Sequence, residues 1–234
     1  MLLILNKDLD VLSETRDAGR LRYKVFFPPE QKLEGKRPVL CFLHGSGEHD
    51  GYLKIEEAIA RHGPLKYNKE TKEAVGNRFI VIFPQLLAPG GDVWGDYADE
   101  VKTIVEAVWE EYRGDTERTY LTGFSFGGNG VFNVASKQPD VWAALWSVDP
   151  TLKPFPKSKR PVWLSLGDRS RGKDEVESLN ALGFQEVKQG QDNPDGYYLY
   201  TDYGKDHTAT ATLSYQDNRV YNWLLKMHLK VNLF

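Results

Sequence analysis

Gly123-Phe124-Ser125-Phe126-Gly127 sets a serine between two glycines, directly after the strand-like run Thr119–Thr122 and before an apolar helical stretch. A serine hydroxyl in that setting can act as a nucleophile. The strand-to-helix turn lifts it to the head of a sheet in a strained backbone conformation costing on the order of 1–3 kcal/mol. The positions two before and two after sit where a side chain would strike a neighbouring strand or helix, which calls for glycine. Tyr120 and Leu121 suit a buried strand, and Val131, Phe132, Val134 and Ala135 continue as a buried helix face. A glycine-rich structural turn is the plain alternative.

A serine hydroxyl is a weak nucleophile until a base takes its proton, and histidine is the usual base near neutral pH. Of the five histidines, His44 ends a strand, His49 lies in the loop beyond it, and His62 closes a helix. His228 belongs to the last helix, whereas His207 follows a strand late in the chain, so His207 is the expected base. The acid that orients its ring should end an intervening strand. Asp168 is the expected choice, with Asp174 and Asp149 as alternatives. The oxyanion of an acyl-transfer reaction needs backbone donors; these are expected from the N–H of Phe126, after the nucleophile, and of Ser46, in the glycine loop that follows an earlier strand.

Elements to position these groups can be read along the chain. Leu21–Phe27 alternates and then meets Pro28, as an antiparallel strand and turn do. Pro38–Leu43, Phe79–Phe83, Trp142–Val148 and Val162–Leu166 are near-continuous apolar runs suited to strands buried on both faces. Tyr197–Tyr203 reads as a further strand. Helical stretches are expected at Ile55–Arg61, Tyr97–Tyr112, Asp174–Leu182 and Tyr215–Leu229. Alternating strands and helices predict a mostly parallel, doubly wound α/β sheet with helices on both faces, in one domain over residues 1–234. Site residues should then gather at the carboxyl ends of the strands. The short connection from Val148 to Val162 carries Pro150, Pro154 and Pro156, so no cap domain is expected there.

Composition excludes several function classes. The chain has 234 residues, 41% of them apolar, and a net charge of −3, so neither nucleic acid nor a membrane surface is an expected partner. Met1–Leu5 is too short for a signal peptide, and no apolar run is long enough to span a bilayer. Cys41 is the single cysteine and sits in a strand-like run, which agrees with a buried thiol and a cytoplasmic setting. His44, Glu48, His49 and Asp50 could be taken for metal ligands. Gly45 and Gly47 disfavour the helix that would align them, so no metal is expected. No phosphate-loop or dinucleotide fingerprint follows a strand, so no cofactor is expected. Trp94, Trp142 and Trp146 are candidate cleft residues, with core packing as the ordinary alternative. Oligomeric state is left open.

With these residues in view, the chain resembles the serine hydrolases of the α/β-hydrolase superfamily. More narrowly it is similar to the predicted-peptidase, phospholipase/carboxylesterase-like and feruloyl-esterase-like group. The likeness rests on Leu43-His44-Gly45-Ser46-Gly47-Glu48, Phe79–Gln85 followed by Trp94, Arg118–Gly128, Gln138–Ala144, Pro161-Val162-Trp163 and Asp206-His207. It implies the α/β-hydrolase fold and hydrolysis of small carboxylic esters through an acyl-enzyme by Ser125, His207 and Asp168. Alternatives are a peptidase for small peptides, or a degenerate hydrolase fold used for binding. Two departures concern the acid. Ser170 stands where such enzymes usually carry the aspartate after the seventh strand, and Ser147-Val148-Asp149 replaces the usual small Ser-Gly pair after the sixth.

Overall fold

The apolar runs assemble into one sheet in a computed structural model that describes residues 4–6, 11–28, 35–66, 75–88, 91–152, 158–167, 174–192 and 194–229. Its strands are β1 (Ile4–Asn6), β2 (Val11–Ala18), β3 (Leu21–Phe27), β4 (Arg37–Leu43), β5 (Ile80–Leu86), β6 (Gly114–Phe124), β7 (Ala144–Val148), β8 (Val162–Leu166), β9 (Gln185–Glu186) and β10 (Tyr198–Asp202). Their spatial order is β1-β2-β3-β5-β4-β6-β7-β8-β10-β9. The first three strands run antiparallel, and β3 meets β5 antiparallel. From β5 through to β9 every pairing is parallel. The expected mostly parallel α/β sheet is therefore the fold.

The helices are α1 (Ile55–Ile59), α2 (Ala98–Glu111), α3 (Phe126–Lys137), α4 (Asp174–Ala181), α5 (His207–Gln216) and α6 (Asn218–Lys226), and a 3₁₀ turn at Trp94–Tyr97 leads into α2. Burial explains the continuous apolar strands. Val39, Cys41 and Leu43 of β4 pack into one core with Val101, Ile104, Val105 and Val108 of α2 and Val131 and Val134 of α3. Leu40 and Phe42 of the same strand point the other way, into a second core with Ile55 of α1, Tyr215 of α5 and Tyr221, Trp223 and Leu224 of α6. Trp94, Trp142 and Trp146 are core residues, each at most 1% exposed.

Two differences from the sequence reading have clear local causes. The stretch expected as one helix over Tyr215–Leu229 belongs to two, because Asp217 ends α5 in extended backbone (φ −81°, ψ 97°) and caps α6 by accepting from Arg219 N. His207, expected in a loop, opens α5, whose N-cap Asp206 accepts from Ala209 N. Among the described residues no helix is long and apolar enough to cross a membrane.

Candidate active site

Three strand ends converge on one point of the sheet. β6 leads into Ser125, which has φ 60° and ψ −120° and lies between the strand and α3. Its main chain is held from both sides: Ser125 N donates to Val148 O at 3.0 Å, and Asn129 N donates to Ser125 O at 3.1 Å. The flanking glycines are required by backbone, not by flexible side chains. A Cβ on Gly123 would lie 2.2 Å from Gly127 O, and one on Gly127 would lie 2.0 Å from Leu43 O. Elbow, strand β4 and helix α3 thus touch through their main chains, which only hydrogen at these Cα atoms allows.

His207 sits at the first position of α5 with 37% of its side chain exposed. Its ring packs on Phe124, the residue before Ser125, with centroids 4.5 Å apart. Nδ1 makes a short hydrogen bond to Asp149 Oδ2, and Asp149 is fully buried. Gly167 N donates to the other oxygen, Oδ1, at 3.2 Å. With the carboxylate on Nδ1, Nε2 is the nitrogen left to exchange a proton with a substrate or a hydroxyl.

Among the described residues, the carboxylate on His207 comes from one of the alternatives to the expected acid. Asp168 lies outside the described residues, and the carboxylate on His207 is that of Asp149. Strand order supplies the reason. β7 is hydrogen-bonded directly to β6, so the residue ending β7 lies beside the elbow, whereas β8 is one strand further away. Asp174, the other alternative, lies within α4. Asp149 also carries a signature invisible in the sequence. Its φ of 42° puts it, with Ser125 and Arg113, among the non-glycine residues of positive φ. Backbone strain of this kind collects at functional sites.

The loop after β4 faces the same point. A Cβ on Gly45 would come within 3.4 Å of Ser125 Cβ and 3.5 Å of Phe124 O. His44 fixes this loop. Its Nε2 accepts from Leu86 N at 3.1 Å, so Nδ1 carries the proton and donates to Gly45 O at 2.6 Å. Burial lowers the His44 pKa to about 4, which keeps the ring neutral. Both nitrogens are spent on main chain, so His44 is not arranged as a metal ligand. Because the peptide is planar and trans, holding Gly45 O toward His44 turns the Ser46 N–H to the opposite side. The Phe126 N–H belongs to the first turn of α3, where no intrahelical acceptor exists. Phe126 follows Ser125 directly, and Gly45, the residue before Ser46, packs against that serine.

The sequence reading missed two residues next to this site. Glu48 is 2% exposed, and its Oε1 lies 4.0 Å from Nε2 of His62. The His62 ring packs on Phe124, at 4.7 Å between centroids. Desolvation raises the Glu48 pKa to about 7 and lowers that of His62 to about 4. Glu48 stands within the Gly-rich motif, but nothing in the residue pattern showed that its side chain folds inward.

No protein-family model and no curated protein matches the chain. Solved structures do. One is a thermostable esterase, 20% identical with a TM-score of 0.63, whose match covers 94% of this chain and 63% of that one. Another is an S-formylglutathione hydrolase from Staphylococcus aureus, 15% identical, TM-score 0.59, covering 92% and 96% of the two chains. A third is a putative dienelactone hydrolase from Klebsiella pneumoniae subsp. pneumoniae, 15% identical, TM-score 0.60, covering 92% and 99%.

Proposed function

We propose that this chain, whose fold is that of the α/β-hydrolases, is a serine hydrolase that cleaves small carboxylic esters. The observation that carries the reading is the hydrogen bond from His207 Nδ1 to buried Asp149, with the same imidazole ring packed against the residue before a strained Ser125. A buried carboxylate on Nδ1 fixes the tautomer that leaves Nε2 basic and stabilises the imidazolium once formed.

In the proposed reaction Ser125 Oγ attacks the ester carbonyl carbon while its proton passes to His207 Nε2. The carbonyl π electrons move onto oxygen, which the N–H groups of Ser46 and Phe126 receive. Collapse of the tetrahedral species expels the alkoxide, which takes the proton from His207 and leaves as alcohol. Water then attacks the acyl-enzyme by the same path, releasing the acid and restoring Ser125. Each oxyanion donor is worth about 2.7–4 kcal/mol in such sites.

Ser125→Ala is expected to abolish hydrolysis of short-chain aryl esters and labelling by a fluorophosphonate probe while circular dichroism stays unchanged. Wild-type turnover in that variant would remove Ser125 from the reaction. Peptide amides tested beside the esters separate esterase from peptidase, and wild-type protein inert to both substrates and probe would point to a binding role for the fold.

A further inference from the structure

Glu48 is a buried acid with no part in the reaction just described, and its surroundings give it a use. The side chain folds back onto its own loop, against Gly45. Its Oε2 lies 3.1 Å from the position of a Gly45 Cβ, and Ser125 Cβ lies 3.4 Å from that same position on the elbow side. Gly45 is thus wedged between the Glu48 carboxyl and the nucleophile. Its carbonyl is held by His44 Nδ1.

The clamp is itself anchored. Gln85 Nε2 donates to Glu48 O at 2.8 Å and to Leu53 O at 2.9 Å, tying the loop to β5. On the far side Glu48 is backed by His62, whose side chain is 13% exposed. The rings of His62, Phe124 and His207 follow in contact, at 4.7 Å and 4.5 Å between centroids. One packed row therefore runs from the oxyanion loop to the general base. Among the described residues, Glu48 Oε1 and His62 Nδ1 find no hydrogen-bond partner. Retaining such groups costs stability. A carboxyl kept there against that cost is accounted for by what its other oxygen holds.

We propose that Glu48 is a positioning residue of the oxyanion hole, its carboxyl, packed on Gly45, holding the Gly45–Ser46 peptide so that the Ser46 N–H faces the developing oxyanion, with His62 as its backing. The proposal rests on the serine-hydrolase reading above. Its chemistry is that of aim: a donor rotated away from the oxyanion contributes little, because such stabilisation requires a donor already oriented before charge develops. Ground-state binding of the ester depends on this peptide far less, so the effect belongs in kcat.

The test compares Glu48→Gln, which keeps a polar oxygen against Gly45, with Glu48→Met, which keeps the bulk and removes that acceptor. Both kcat and KM are read on a short-chain aryl ester, with thermal melting alongside. Glu48→Met is expected to lose about 10²-fold in kcat with little change in KM, and to melt no lower than wild type, since an apolar side chain replaces a buried acid. Glu48→Gln is expected to recover most of that loss. Glu48→Ala lacks the same acceptor with a smaller side chain, and serves if the methionine does not pack. A folded Glu48→Met or Glu48→Ala with wild-type kcat overturns the proposal. So does a loss of kcat that follows melting temperature equally in all variants, which is the mark of a purely structural role. Wild-type protein that neither hydrolyses esters nor labels at Ser125 overturns the underlying reading and this proposal with it. Active, Ser125-dependent wild type with an indifferent Glu48 overturns this proposal alone.

Discussion

Glu48, His44 and His62 carry the main pH sensitivity that the site residues impose on the fold. Burial raises the Glu48 pKa from 4.5 to about 7, so between those values the folded protein binds a proton the unfolded chain has released. Stability therefore falls as pH rises through that window. The two histidines, both lowered from 6.5 to about 4, act oppositely: the unfolded chain takes up protons first, and their stabilisation is lost as pH falls from 6.5 toward 4. Glu48→Gln removes the first contribution only. Its stability relative to wild type should rise between pH 5 and pH 8, by up to roughly 3 kcal/mol for a shift of this size. Urea midpoints measured across that range check this, and a pH-independent difference would contradict it. The turn at Ser125 was legible by type and spacing, because its glycines answer local backbone demands. Glu48 was not, because inward burial of a loop acid depends on Gln85 and His62, brought to it from elsewhere.

At the scale of elements, the elbow depends on contacts between main chains. A methyl group on Gly127 would meet Leu43 O at 2.0 Å and Leu43 C at 2.6 Å, and neither atom can move without shifting β4. Gly127→Ala should cost more than the roughly 1–3 kcal/mol usual for overpacking, seen as a large fall in melting temperature or loss of soluble protein. A variant with wild-type melting would mean that β4 and α3 are less tightly joined. The connection from β7 to β8 is too short for a cap domain, and lids are what create large apolar acyl sites that open at an oil interface. Turnover should fall with acyl length, without activation above the critical micelle concentration. A jump in rate at that concentration would refute this. Buried central strands such as β4 and β8 were legible as apolar runs bounded by glycine. The break at Asp217 and the helix opening at His207 were not, since both follow from caps whose partners the period of apolar residues does not report.

At the scale of the whole molecule, residues 149 and 207 meet beside the elbow that carries Ser125 because the sheet places β6 and β7 side by side and returns the chain from β10 to their carboxyl ends. The fold class was legible in the alternation of strands and helices. The acid was not, because several strands end in an aspartate and only strand adjacency decides which one reaches His207. Ser147-Val148-Asp149 was visible as a departure, but its positive φ and its contact with Gly167 N exist only in the folded chain. The central claim is that Ser125, His207 and Asp149 act as one unit, and kcat of Asp149→Asn beside Asp168→Asn tests it most directly. An asparagine at 149 leaves the shape intact but favours the wrong imidazole tautomer, which can cost about 10⁴ in turnover. The account predicts a loss of that order for Asp149→Asn, with Asp168→Asn near wild type on the same short-chain aryl ester. Near-wild-type turnover in Asp149→Asn, or the large loss appearing instead in Asp168→Asn, would contradict it.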